Sequence, residues 1–104
     1  MSAPDPAIHG RKTIMGADLT FGATVTAPCG KRRPADRTSA DPARVTCPEC
    51  RTWAAGQERE LARQALAAAE IAGEYPDMAP YTPADFAQTA DRHAARAARW
   101  DAQP

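Results

Sequence analysis

Cys29, Cys47 and Cys50, together with the upstream His9, have donor atoms suited to holding a transition metal. The segment Cys47-Pro48-Glu49-Cys50 is the strongest local signal. Two thiolates two residues apart can grip one tetrahedral ion, because the intervening turn aims both sulfurs inward. Cys29 is followed by Gly30, and a small residue there lets backbone amides turn toward the sulfur, as in a knuckle. With His9 the three thiols make a Cys3His set, a type found in structural zinc sites. Nineteen residues separate His9 from Cys29, and seventeen separate Cys29 from Cys47. Those spacings exceed a compact finger and suit a zinc ribbon or a treble-clef-like arrangement, with ligands on separate hairpins or turns.

Other chemistries compete for the same residues. Cys47 and Cys50 also have the spacing of a redox dithiol, which requires a βαβ context and a helix beginning at the first cysteine. An iron–sulfur centre ordinarily takes four cysteines or a two-histidine set. The fourth ligand is open between His9, which shares the cysteine-containing half, and His93, on the apolar stripe of the last helix. An acidic residue, water or a partner group is the remaining choice. Four protein ligands close the coordination sphere around one structural Zn2+. With no general base, nucleophile arrangement or phosphate loop in view, the expectation is a non-enzyme without a small-molecule substrate.

The elements that must position these residues come from a chain poor in core-forming side chains. Alanine supplies 25 of the 104 residues, and Leu, Ile, Val and Phe together only 10. Small domains with so little apolar mass need a disulfide, a metal or an oligomer to hold one structure. Zinc contributes roughly 10–16 kcal/mol in small metal-folded peptides, as much as the whole stability of an ordinary domain. An odd cysteine count argues against a secreted disulfide framework. The N-terminus lacks the apolar run of a secretory signal, and no stretch is long enough to span a bilayer. A cytoplasmic chain with reduced thiols is the expectation.

Residues 1–7 read as a flexible Pro-containing arm. From Ile8 to Val25 the Gly- and Thr-rich pattern suits two small strands, with Leu19, Phe21 and Val25 alternating on one face. A polar loop follows from Lys31 to about Ala43, and Val45–Cys47 reads as a short strand. Beyond Trp53 the character turns helical. Residues 57–72 place Leu61, Ala65, Leu66, Ala69 and Ala72 on one face, with Gly73 as the stop. Thr82, Pro83 and Asp85 form a helix start with a capping box, flanked by Tyr81 and Phe86 as a hydrophobic staple. Phe86, Ala90, His93, Ala97 and Trp100 recur at helical spacing over 83–100. The expected architecture is α+β: a β-rich zinc module at 8–53 and an α-helical hairpin at 54–104, with Trp53 in the seam.

The segment His9 … Cys29-Gly30 … Asp41-Pro42-Ala43-Arg44-Val45-Thr46-Cys47-Pro48-Glu49-Cys50-Arg51 resembles the small zinc-finger proteins of actinobacteria and their phages. Those carry a histidine in an early strand, a Cys-Gly, and a closing Val-Thr-Cys-x-x-Cys. The resemblance covers about residues 8–53 and favours His9 over His93 as fourth ligand. It implies zinc binding and assigns no reaction. The helical tail lies outside it.

Formal charge sums to zero but is unevenly placed. Residues 1–52 hold eight Lys/Arg against five Asp/Glu, and residues 53–104 hold five against eight. Lys31, Arg32 and Arg33, with Arg37, Arg44 and Arg51, are the cations that would meet nucleic-acid phosphates or a partner. A solvated charged loop explains the same run. The pI near 6.7 and the lack of interleaved aromatics weigh against a dedicated nucleic-acid binder. Phe86, His93 and Trp100 mark a helix face that either docks on a partner or packs internally. Two functional expectations follow. One is a small zinc-binding regulatory protein that engages a host or cellular protein, the transcription machinery among the candidates. The other is a DNA- or RNA-binding zinc module using the basic loop 31–37.

Overall fold

The structure, a computed structural model, describes residues 7–11 and 24–102. Residues 1–6 of the expected arm, and the segment bearing Leu19 and Phe21, lie outside these. Among the described residues, four short strands and two long helices give an α+β architecture. Strand β1 (His9–Gly10) pairs in parallel with β4 (Thr38–Ser39), placing His9 opposite Thr38. Strands β2 (Thr24–Thr26) and β3 (Arg32–Pro34) form an antiparallel hairpin. One turn of 3-10 helix, Ala35–Arg37, joins β3 to β4.

The stretch read as a polar loop after Lys31 therefore contains β3, the 3-10 turn and β4. Val25 pairs with Arg33. Polar, Arg- and Thr-rich sequence hid these strands, because they are too short for alternation to register. Residues 45–47 form no strand. Instead the amides of Thr46 and Cys47 both donate to the Ile8 carbonyl, and the Ile8 amide donates to Thr46 Oγ1. The crossing ties the chain entering the first helix to the chain entering β1.

Helix α1 spans Pro48–Glu74 and starts nine residues before the stretch singled out by propensity. Its start has sound local causes. Cys47 is the extended N-cap, Pro48 has the fixed φ of a first helical residue, and Glu49 places a carboxylate in the first turn. The helix passes through Gly73, and the Tyr75 amide closes it on the Ile71 carbonyl at 2.9 Å. Helix α2 spans Pro83–Asp101 and begins with the complete Thr82/Asp85 capping box. Tyr81 and Phe86 meet edge to face at 5.9 Å, the contact of a hydrophobic staple.

The helices pack along an alanine seam, Ala65 and Ala72 of α1 and Ala90 and Ala97 of α2 being buried. Leu61 and Leu66, expected in that seam, are 41% and 55% exposed. Methyl groups on the line of closest approach bring the backbones together and leave longer side chains at its edges. Below the seam, Ala27, Val45, Cys47, Cys50, Ala54, Ala55 and Trp100 form one core cluster. Trp53 packs against it half-buried, joining the two halves. The sheets thus sit at the N-terminal end of α1, and the hairpin projects away in a molecule 61 Å long.

Candidate metal centre

His9, Cys29, Cys47 and Cys50 converge from three separate elements, and their ligand atoms all lie within 4.8 Å of one another. β1 supplies His9. The β2–β3 turn supplies Cys29, held by the Ala27 amide donating to the Lys31 carbonyl and the Gly30 amide to the Ala27 carbonyl, both at 2.8 Å. Gly30 has φ +91°, a conformation that a side chain would strain, and this curls the turn around the Cys29 sulfur. The first turn of α1 supplies Cys47 and Cys50. A cysteine pair borne by a helix start is the treble-clef-like alternative of the two expected arrangements.

The group is largely buried. His9, Cys47 and Cys50 are buried and Cys29 is half-buried. His9 Nδ1 lies 3.4 Å from Cys29 Sγ and 3.9 Å from Cys50 Sγ. Zn–S bonds near 2.3 Å and Zn–N bonds near 2.0 Å, at tetrahedral angles, put donors about 3.5–3.8 Å apart. The two His9–sulfur separations match that spacing to within tenths of an ångström, and a set contained within 4.8 Å would close by up to about an ångström around a tetrahedral ion. Gly10 makes room for this approach: a Cβ there would meet Cys50 Cβ at 3.0 Å.

Electrostatics support the same reading. Burial pushes the Cys50 thiol up to about 12, despite amide hydrogen bonds from Gly10 and Cys29 to its sulfur. Burial also raises Cys29, but hydrogen bonds from the Lys31 amide and from the Cys50 and Cys47 thiols together hold it below its ordinary value. Three clustered sulfurs cannot all ionise without a counter-charge, and a divalent cation supplies one. The amides already aimed at sulfur, and the N-terminus of α1, favour thiolates once such a cation is present.

One part of the redox context is met, since α1 begins at the first cysteine. Among the described residues the two sheets are two-stranded, and no βαβ unit surrounds it. A third thiol and an imidazole within the same 4.8 Å distinguish this group from an isolated dithiol. His93 is elsewhere: its Nδ1 meets Glu58 Oε2 at 2.6 Å, while Arg96 Nε donates to Glu58 Oε1 at 3.0 Å.

Of the cations picked out from sequence, Lys31, Arg32, Arg37 and Arg44 are exposed and Arg33 is half-buried. Arg32 and Arg33 lie on β3 and Arg37 on the following turn, beside the Cys29 knuckle. Arg51 differs. It is only 4% exposed and faces no partner surface. Its Nη1 donates to the Pro42 and Val45 carbonyls at 2.5 and 2.7 Å. Its Nη2 donates to the Arg99 carbonyl at 2.9 Å and to the Ala102 carbonyl. The guanidinium also lies 5.3 Å from the Trp100 ring centroid. Arg51, adjacent to Cys50, thus caps the C-terminus of α2 and ties it to the loop before α1. Trp100, on the face expected either to dock on a partner or to pack internally, is buried at this joint.

Sequence reasoning missed Arg11 as a positioning residue. Its Nε donates to Thr38 Oγ1 and its Nη2 to the carbonyls of Ala35 and Thr38, at 2.7–3.0 Å. That brace fixes β4 against β1 beside His9. Its place two residues after His9 was the available signal. No helix among the described residues is long and apolar enough to cross a membrane. No protein-family model, curated protein or solved structure matches the chain.

Proposed function

We propose that this chain is a zinc-organised interaction module. One Zn2+, held by His9 Nδ1 and the thiolates of Cys29, Cys47 and Cys50, cross-links the two small sheets to α1. The helical hairpin so anchored engages another protein. The observation carrying the reading is the convergence of four donors, three buried and Cys29 half-buried, from three elements otherwise linked by little apolar mass. Four protein donors leave no coordination position for a substrate, so the metal's role is structural and not catalytic. Zinc is the metal chosen by a thiolate-rich set with one imidazole. In its narrower form, the partner is a host or cellular protein, the transcription machinery among the candidates.

The second reading, a nucleic-acid module, draws on the position of Lys31, Arg32, Arg33 and Arg37 around the Cys29 knuckle, where a bound metal would fix them. Charge reversal of Lys31, Arg32 and Arg33 in zinc-loaded protein separates the two. Under the first reading, binding to a protein partner survives the reversal and is abolished by chelation. A uniform, salt-dependent loss of DNA or RNA binding, with no protein partner affected, would favour the second.

A further inference from the structure

At the end of the hairpin remote from the metal centre lies an apolar groove of about 440 Å³. Ala68, Ile71, Tyr75, Met78, Pro80 and Phe86 line it. Ile71, Tyr75 and Met78 are 60%, 56% and 83% exposed. A chain this poor in large apolar residues leaves several of them in solvent at one place. Such a patch on a small protein marks a contact surface. Apart from the Tyr75 hydroxyl, its lining residues bring no side-chain polar group, so it lacks the convergent donors and acceptors that orient a small polar ligand. One wall is preorganised, because the capping box and the Tyr81 staple fix Phe86 at the start of α2.

The surroundings of the groove are one-signed. Residues 70–91 contain Glu70, Glu74, Asp77, Asp85 and Asp91 and no Lys or Arg. The carboxylates of Glu70, Glu74 and Asp77 make no ion pair or hydrogen bond among the described residues. Nearer the metal end, by contrast, Glu58, Glu60 and Asp101 are each engaged by a neighbouring cation. The open carboxylates stand within one helical turn of Ile71 and Tyr75, or beside Met78, in sequence.

We propose that this groove docks a cationic amphipathic helix of a partner protein. The partner's apolar face would seat on Ile71, Tyr75, Met78 and Phe86, and its flanking Lys/Arg would meet Glu70, Glu74 and Asp77. The inference rests on reading the chain as an interaction module, and it gives that module a surface and a partner chemistry. A second copy is a poorer occupant on charge. Tip against tip sets five carboxylates against five, and the basic run Lys31-Arg32-Arg33 brings no large apolar side chain to fill the groove.

The test uses the full-length zinc-loaded protein and a synthetic Leu/Lys amphipathic helix of about five turns, followed by calorimetry. A Leu/Glu helix of the same pattern and a Lys-rich scrambled peptide serve as controls. The expected result is saturable one-to-one binding of the Leu/Lys helix alone, weakening with salt. Ile71→Asp or Met78→Asp should weaken it about thirtyfold, the cost of losing a central anchor. Both positions are exposed, so both variants should fold. The triple variant Glu70→Lys, Glu74→Lys, Asp77→Lys should shift preference to the Leu/Glu helix. Equal binding of both helices, insensitivity to Ile71→Asp and Met78→Asp, or self-association through the groove would overturn the proposal. Zinc content measured on the same samples keeps the two readings apart. Zinc-replete protein that ignores the peptide refutes the groove alone, and metal-free protein that binds it refutes the metal reading alone.

Discussion

Replacing Arg51 should destabilise the fold more than replacing any other arginine outside the metal site. Its guanidinium donates to four carbonyls, of Pro42, Val45, Arg99 and Ala102. A hydrogen bond to a charged group contributes about 1.5–3 kcal/mol. The Pro42 and Val45 bonds are buried and keep most of that, together about 3–4 kcal/mol. The two at the end of α2 are partly wet, and water can replace the lost donor there. The contact with Trp100 adds about 1 kcal/mol. Arg51→Ala should therefore cost about 4 kcal/mol, a large part of the stability of a small domain. Lysine cannot span two pairs of carbonyls with one ammonium, so Arg51→Lys should recover less than half. Urea unfolding of zinc-loaded protein, followed by Trp53 and Trp100 fluorescence, measures both variants. The exposed Arg44→Ala is the control, expected within about 0.5 kcal/mol of the parent. A loss below about 1 kcal/mol for Arg51→Ala would show that the guanidinium does not hold the halves together.

Three further perturbations address other links. Gly10→Ala presses a methyl to 3.0 Å from Cys50 Cβ, so zinc affinity, measured by chelator competition, should fall about tenfold. Gly30→Ala forces a side chain onto φ +91° and should cost about 1–3 kcal/mol in urea unfolding, with no new clash to blame. The Thr82 amide and hydroxyl, donating to Asp85, hold its carboxyl below the usual carboxylate value. That stabilisation is present above the unfolded-state pKa and is lost as pH falls through the lower, folded one. Helicity of the hairpin, followed by circular dichroism, should therefore drop on acidification below about pH 4, and Asp85→Asn should remove that acid-sensitive component.

Much of the helical hairpin was legible because its signals are local. The Thr82 cap, the Tyr81–Phe86 staple and the Ala90–Ala97–Trp100 stripe each depend on residues within a few positions of one another. The start of α1 was not legible, because Cys47-Pro48-Glu49-Cys50 reads as a self-contained turn. Only the folded chain shows that Pro48 opens a helix running unbroken into the Ala-rich segment. Strands β1 and β4 are two residues each and pair across the 27 residues between them, so no periodicity announces them. The donor residues were legible from their chemistry, and their convergence is a tertiary fact. Arg51 was misplaced for a general reason. An arginine after a Cys-x-x-Cys looks like a surface cation until the end of a distant helix is seen to need a cap.

The most direct test of the account is native mass spectrometry of the purified chain before and after chelation. The account predicts a mass increment of one zinc ion, lost on chelation together with the compact charge states, and absent from Cys47→Ser and Cys50→Ser. A compact chain without metal, unchanged by chelator or by those substitutions, would contradict it and leave Cys47 and Cys50 as a redox pair or as plain core thiols.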